Sequence, residues 1–320
     1  MANHAHSTVR LLSLGLQGGG SFGAFTWGVL DRLLADEQLQ LDTISGASAG
    51  AVNAVVLADG LAEGGREGAQ HRLRAFWETV GRSPAVPAIL PSSPLGFMAT
   101  SLTGWASPFQ INPLGLNPLR DLIASAVDFE RLRRDSPVRL IISATRVRDG
   151  QPRMFREHEL TLEAVLASAC LPFLQNAVEI EGEAYWDGGY SANPPLRELV
   201  IEMQSTELLL VRLVPELHDM VPHLPHEITR RVREIGFNAS LLRELDAVED
   251  LRRACKGQKL FRSGLCRKLT ALRFHQIDAE EHVPGLVRES PLNTSWVFLE
   301  RLHAAGWGAA EQWLQAQAGP

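Results

Sequence analysis

"ISGASAGAVNAVV", Ile44 to Val56, closes an apolar strand-like run and opens an alanine-rich stretch with helical spacing. Between the two lies Gly46-Ala47-Ser48-Ala49-Gly50, a G-x-S-x-G pattern. Strand, tight turn and helix in that order are what a nucleophile elbow requires. The turn presses the serine against neighbouring backbone, and only small residues two positions away leave room for it. A helix start then supplies free N–H groups and a positive dipole end, which favour negative charge on a reacting oxygen. Ser48 is therefore the candidate nucleophile, with Gly46 and Gly50 as its support, and the chain around it reads as α/β.

Upstream, "LQGGGSFGAF", Leu16 to Phe25, joins the apolar run "RLLSLGL" to another helical stretch. Two anions fit this loop. Gly18, Gly20 and Gly23 satisfy the dinucleotide pattern G-x-G-x-x-G, with Asp42 placed to bind a ribose hydroxyl. Alternatively, the glycine triplet presents backbone N–H groups to the oxyanion of an acyl-transfer reaction. A ribose-binding carboxylate should end its strand, whereas apolar Ile44 follows Asp42 and the strand runs on into the serine turn.

A serine hydroxyl needs a base within hydrogen-bond reach. In "EAYWDGGYSANPPL" Asp187 precedes Gly188 and Gly189, which let the backbone turn tightly and present the carboxylate on a loop. Taken alone, the segment fits an ordinary Asp-Gly hairpin turn equally well.

"GGGSFG", "GASAG" and "DGG", in this order and with "ASACLPFLQNAVEI" before the last, resemble the patatin-like phospholipase family over roughly residues 10 to 215. The resemblance implies a three-layer α/β fold with a central, mostly parallel sheet flanked by helices. It also implies hydrolysis of lipid esters by a serine–aspartate dyad without histidine. Carried over by position, Ser48 is the nucleophile and Asp187 the general base. Gly18, Gly19 and Gly20 form the oxyanion hole, and Gly23, Gly46, Gly50, Gly188 and Gly189 support the motifs. The implied scheme uses no metal and no cofactor. One departure stands out: Phe22 occupies the position of the arginine or lysine usual in the family's glycine loop.

The remaining chain fits one domain over 1–320. Strand-like runs at 10 to 16, 39 to 46, 138 to 147, 207 to 214 and 271 to 277 alternate with helical stretches. Residues 83–119 hold seven of the eighteen prolines and no charged residue, which marks an insertion. Within it Phe97, Met98, Trp105, Phe109 and Ile111 are candidates for lipid contact, and burial against protein is the alternative. Residues 216–320 read as mainly helical. His226 to Lys256 carries Ile228, Val232, Ile235, Ala239, Leu242, Leu245, Val248 and Leu251 as an amphipathic stripe. A tail helix is expected after an Asn293 or Thr294 cap, with Trp296, Leu299 and Leu302 on one face.

Acids outnumber bases 37 to 31, so no basic field invites nucleic acid. Cys170, Cys255 and Cys266 lack the spacing of a zinc site or a disulfide framework, which fits a reducing cytoplasm. The apolar run after Arg10 is too short for a secretory segment, and no stretch is long enough to span a bilayer. The expectation is a cytoplasmic protein acting on a lipid ester, with peripheral membrane contact open and oligomeric state unread. Two rival readings remain. One is an α/β-hydrolase triad completed by His218, His223, His226, His275 or His282. The other is a catalytically silent binding or scaffold protein that keeps the fold.

Overall fold

The computed structural model describes residues 9–83, 117–217, 221–257 and 263–318. A mixed sheet lies at its centre, built from β1 (Arg10–Leu16), β2 (Leu39–Gly46), β3 (Arg139–Arg146), β4 (Pro152–Arg156), β5 (Val178–Ile180), β6 (Glu183–Asp187), β7 (Glu207–Arg212) and β8 (Arg273–Asp278). The order is β5-β6-β3-β2-β1-β7-β8, with β4 also paired to β3. From β3 through β8 every neighbour is parallel, whereas β4, β5 and β6 pair antiparallel. β7 is buried along its whole length, as a strand covered on both faces must be. Its side chains alternate: Leu209 and Val211 join the larger core, while Leu208 and Leu210 join the smaller one.

Helices α1 (Gly23–Leu34), α2 (Ala49–Arg82), α3 (Pro118–Ala126), α4 (Phe129–Asp135) and α5 (Leu162–Ser168) contribute to the larger core. The other face carries α6 (Leu196–Glu202), α7 (Pro225–Gly257) and α8 (Gly264–Ala271). The short α9 (Ala279–His282) and the long α10 (Trp296–Ala318) return to the larger core, so the sheet has helices on both faces. Local chemistry starts several of these helices. Asn117 caps α3 with Pro118 at the first position, Asp128 caps α4, and Thr161 caps α5. α2 runs on well past the stretch read as helical, through non-helical backbone at Gly64 and Gly65. Fully buried Asp59 on α2 accepts both arms of Arg131 on α4 at 2.8 Å each, a forked ion pair that locks the two helices together.

Three expectations are corrected, and one strand, β4, has no counterpart in the sequence reading. Cys255 and Cys266, eleven positions apart, are joined in a disulfide because the end of α7 and the start of α8 bring their Cα atoms to 5.1 Å. That juxtaposition comes from tertiary packing and leaves no pair signature in the sequence. On α7, Phe237, Leu241, Val248 and Cys255 are buried, whereas Ile228, Val232, Ile235 and Leu251 of the anticipated stripe are exposed. Its first turns leave their apolar side chains to solvent, so hydrophobicity alone misplaces the contact face. α10 begins at Trp296, after Ser295, and Asn293 accepts the Ser295 N–H in a local turn. β4, with two arginines and a leading proline, lacks the apolar alternation that marks a strand. Phe97, Met98, Trp105, Phe109 and Ile111 lie outside the described residues, as does His218. Among the described residues no helix is long and apolar enough to cross a membrane.

α1 and α10 touch backbone to backbone. A Cβ at Gly28 would stand 1.9 Å from the His303 carbonyl oxygen, and one at Gly306 would stand 2.0 Å from that of Phe25. Gly28→Val must push the helices apart, which costs about 3 kcal/mol or more and lowers Tm by roughly 6 °C. Gly236→Ala, whose methyl meets open space within α7, should instead leave Tm unchanged or slightly raised. Thermal unfolding of the two variants checks the contact.

Candidate active site

Strand register brings the three motifs to one place. Leu16 pairs with Gly46, so the glycine loop and the serine turn leave the sheet at the same level. Gly46 pairs in turn with Ile142 of β3, and Asp187 pairs with Ala144 two residues further along that strand. The site thus forms at the carboxyl ends of the parallel strands, where open α/β sheets present their ligand-binding groups.

Ser48 sits at φ 53, ψ −124, a conformation that L residues rarely adopt and that the surrounding contacts must hold in place. Its N–H donates to the backbone oxygen and to Oγ of buried Ser168, both at 3.1 Å. Gly50 is required by close approach, since a Cβ there would fall 2.1 Å from the Leu16 oxygen. A Cβ on Gly18 would lie 2.7 Å from that of Ser48, so the glycine loop and the serine turn are in direct contact. Gly23 opens α1, and its carbonyl accepts Nδ2 of fully buried Asn53, whose Oδ1 takes the Trp77 indole N–H at 3.0 Å.

Asp187 ends β6 and is fully buried. Its N–H donates to the Cys170 oxygen, its own carbonyl accepts Thr145 Oγ1, and its Oδ1 accepts the Gly189 N–H at 2.8 Å. Oδ2 is buried without a hydrogen-bond partner of ordinary geometry. Burial dominates and pushes the carboxyl up to about 7, while the nearby Ser48 hydroxyl and the Gly189 N–H pull in the opposite direction. Gly188 packs on Ser143 and Gly189 on Phe237 of α7, leaving neither room for a side chain. Cys170, also buried, has its thiol pushed up to about 12 by desolvation, so it is an inert neighbour.

Ser48, Gly20 and Ala49 share the wall of an apolar cavity of about 150 Å³. Val52, Phe76, Trp77, Leu122, Leu171 and Leu174 supply most of its lining, and Pro291 and Leu292 close it from the C-terminal part of the chain. Val80 and Asn117, on either side of the uncharged segment, also border it. No charged side chain lines this cavity among the described residues.

Of the three glycines assigned to an oxyanion hole, Gly18 has its N–H engaged, donating to Asn193 Oδ1 at 2.8 Å. Gly20 adopts φ +59 and borders the cavity. Phe22 is buried, its ring 6.2 Å from that of Phe298 on α10, so this position has turned from the site into the core. Asp42 accepts Ser13 Oγ and the N–H groups of Gln204 and Ser205, which uses it structurally. His275 of β8 packs against Trp313 of α10, and His282 packs against Phe25. Ser168, Asn193, Gln17 and Asn238 were not singled out from the sequence. Isolated polar residues carry no spacing signal. Among the described residues no group of three His, Cys, Asp or Glu side chains is placed to hold a metal ion.

Comparison with solved structures finds VipD from Legionella pneumophila at 14% identity and TM-score 0.42, covering 95% of this chain and 66% of that one. ExoU, in the heterodimeric ExoU–SpcU complex from the type III secretion system of Pseudomonas aeruginosa, matches at 17% identity and TM-score 0.36, covering 96% and 52%. The chain therefore spans between half and two thirds of the length of these two proteins. Comparison with individually curated proteins returns no match. The patatin-like phospholipase family model matches residues 14–200. That match covers more than half of the chain and contains all three motifs, and the protein belongs to the patatin-like phospholipase family.

Proposed function

We propose that the protein hydrolyses carboxylic ester bonds of lipids through a Ser48–Asp187 dyad. One observation carries this reading: a fully buried carboxylate with a free oxygen stands beside a strained serine on the wall of an apolar cavity. The acyl chain lies among Val52, Trp77, Leu122 and Leu174. Asp187 Oδ2 takes the Ser48 proton as Oγ bonds to the carbonyl carbon, and the carbonyl electron pair moves to oxygen. Because the Gly18 N–H is committed to Asn193, the oxyanion is assigned to the N–H groups of Gly19, Gly20 and Ala49. One such donor is worth about 3 kcal/mol in the transition state. Collapse of the tetrahedral species breaks the ester C–O bond, and the departing alcohol takes the proton from Asp187. Water, activated by the same carboxylate, then releases the acyl group and restores Ser48. No step uses a metal or cofactor. A cavity with no charged side chain in its described lining selects the acyl chain rather than a phosphate, in keeping with Phe22 standing where the family has a cation. Lipid esters are presented at surfaces, so peripheral membrane contact belongs to this reading.

Ser48→Ala should abolish turnover of a p-nitrophenyl acyl ester and labelling by a fluorophosphonate. Asp187→Asn should lower kcat by at least about 1000-fold, and near-parental turnover in either variant would refute the dyad.

The base works only when ionised, and burial raises its pKa to about 7, so kcat/KM should climb with pH and level off above neutrality. The same shift has a stability sign. The folded state holds the Asp187 proton more tightly than the unfolded chain, so the carboxylate destabilises the fold increasingly as pH rises from about 4 to 7. Asp187→Asn should therefore gain Tm relative to the parent across that window and keep the gain at pH 8. Thermal melts at pH 5 and pH 8 test this, and a gain that shrinks with pH would contradict it.

Val52→Phe should shorten the preferred acyl chain, lowering the octanoyl-to-butyryl ratio of kcat/KM by roughly tenfold. Equal loss on both esters would place the acyl chain elsewhere.

A further inference from the structure

Two buried side-chain amides link the glycine loop to helix α7. Fully buried Asn193 accepts the Gly18 N–H at Oδ1, 2.8 Å, and donates from Nδ2 to the Phe237 carbonyl, 3.2 Å. Fully buried Gln17 accepts the N–H groups of Leu213 and Val214 at Oε1, 2.7 and 3.0 Å, and donates from Nε2 to Asn238 Oδ1, 2.9 Å. Asn238, itself buried, donates from Nδ2 to the Pro215 oxygen at 2.9 Å. Consecutive loop residues, 17 and 18, are thus tied to consecutive helix residues, 237 and 238. None of the three amides lines the cavity.

An amide is the group this geometry needs. Each of the three side chains accepts with its oxygen and donates with its nitrogen, so replacing any of them by a hydrocarbon leaves buried partners unsatisfied on both sides. Their common effect is to anchor residue 17 and the Gln17–Gly18 peptide, from which the peptides that carry the Gly19 and Gly20 N–H groups lead off. A donor acts on an oxyanion only when its N–H is aimed in advance at the position the charge will occupy. Glycine peptides have little intrinsic preference of their own, so the aim has to be imposed from outside the loop.

We infer that Asn193, Gln17 and Asn238 are positioning residues that set the direction of the Gly19 and Gly20 N–H groups. On this view the Phe237–Asn238 turn of α7, beyond the residues 14–200 that the family model matches, supports the catalytic apparatus, whereas the rest of the helix does not. The inference rests on the proposed oxyanion hole, and it assigns a rate effect to residues that touch no substrate.

Asn238→Leu removes the Gln17 and Pro215 links together. Asn238→Asp keeps an acceptor for Gln17 Nε2 and loses the donor to Pro215, giving a milder variant should the first fold poorly. Val248→Ala on the same helix, buried but remote from the loop, is the control for stability alone. Each is assayed as full-length protein with p-nitrophenyl butyrate, together with Tm and the rate of fluorophosphonate labelling. The expected result is a kcat lowered by about 10- to 100-fold in Asn238→Leu and by a smaller factor in Asn238→Asp. KM should stay within about twofold, and labelling should slow in parallel with kcat. Val248→Ala should lose Tm while keeping parental kcat. Parental kcat in folded Asn238→Leu or Asn238→Asp would overturn the inference, as would a loss in Val248→Ala of equal size at equal Tm. Ser48→Ala separates the two levels. Turnover surviving in it removes the dyad reading itself, whereas its loss alongside an unaffected Asn238 variant removes only the positioning role.

Discussion

The oxygen of Leu16 lies where any side chain at residue 50 would have to be. That contact between the end of β1 and the first turn of α2 governs the rest of the site. It holds the serine turn against the glycine loop, and the parallel register of β1 with β2 makes the two loops leave the sheet together. Ser48 takes its rare backbone conformation because the chain on either side is already committed, through Ser168 at its N–H and Gly50 behind it. A strained residue of this kind is stable only inside a well-packed frame, and here the frame is the centre of the sheet.

Asp187 shows the opposing side of the same economy of space. A carboxylate with no solvent and one free oxygen is a poor contributor to stability and a good proton acceptor near neutral pH. Its neighbours confine their support to Oδ1 and the main chain, which leaves Oδ2 uncommitted. Had a lysine or arginine satisfied that oxygen, the fold would gain an ion pair and the carboxyl would fall back to the ordinary range, too weak a base to activate a hydroxyl.

Much of this frame was legible in the sequence because it depends on local rules. β1, β3 and β7 are apolar runs that a buried parallel sheet demands, β2 becomes one toward the serine turn, and small residues flank Ser48 because backbone approaches there. What escaped has its cause in tertiary partners. β4 is polar and is a strand only because β3 offers it an edge. The cysteine pair is made by two helix ends meeting, and the apolar stripe on α7 fails as a guide because the core sits under Phe237 and Leu241 instead. The amides of Gln17, Asn193 and Asn238 matter through one another, and nothing in the neighbourhood of any one of them announces the others. Gly18 illustrates the limit from inside a motif: its position was evident, but the direction of its N–H depended on a side chain 175 residues away.

The loop before α10 also belongs to the cavity. The Pro291 carbonyl accepts the Ser21 N–H at 2.8 Å, and Pro291, Leu292 and Thr294 form part of the wall facing Ser48. During synthesis Ser48, Asp187 and the glycine loop all leave the ribosome long before these residues do. A growing chain can assemble the sheet around Ser48 while the cavity beside it still lacks a side. The cavity beside Ser48 therefore has all of its described walls only once residues 291 to 294 have emerged.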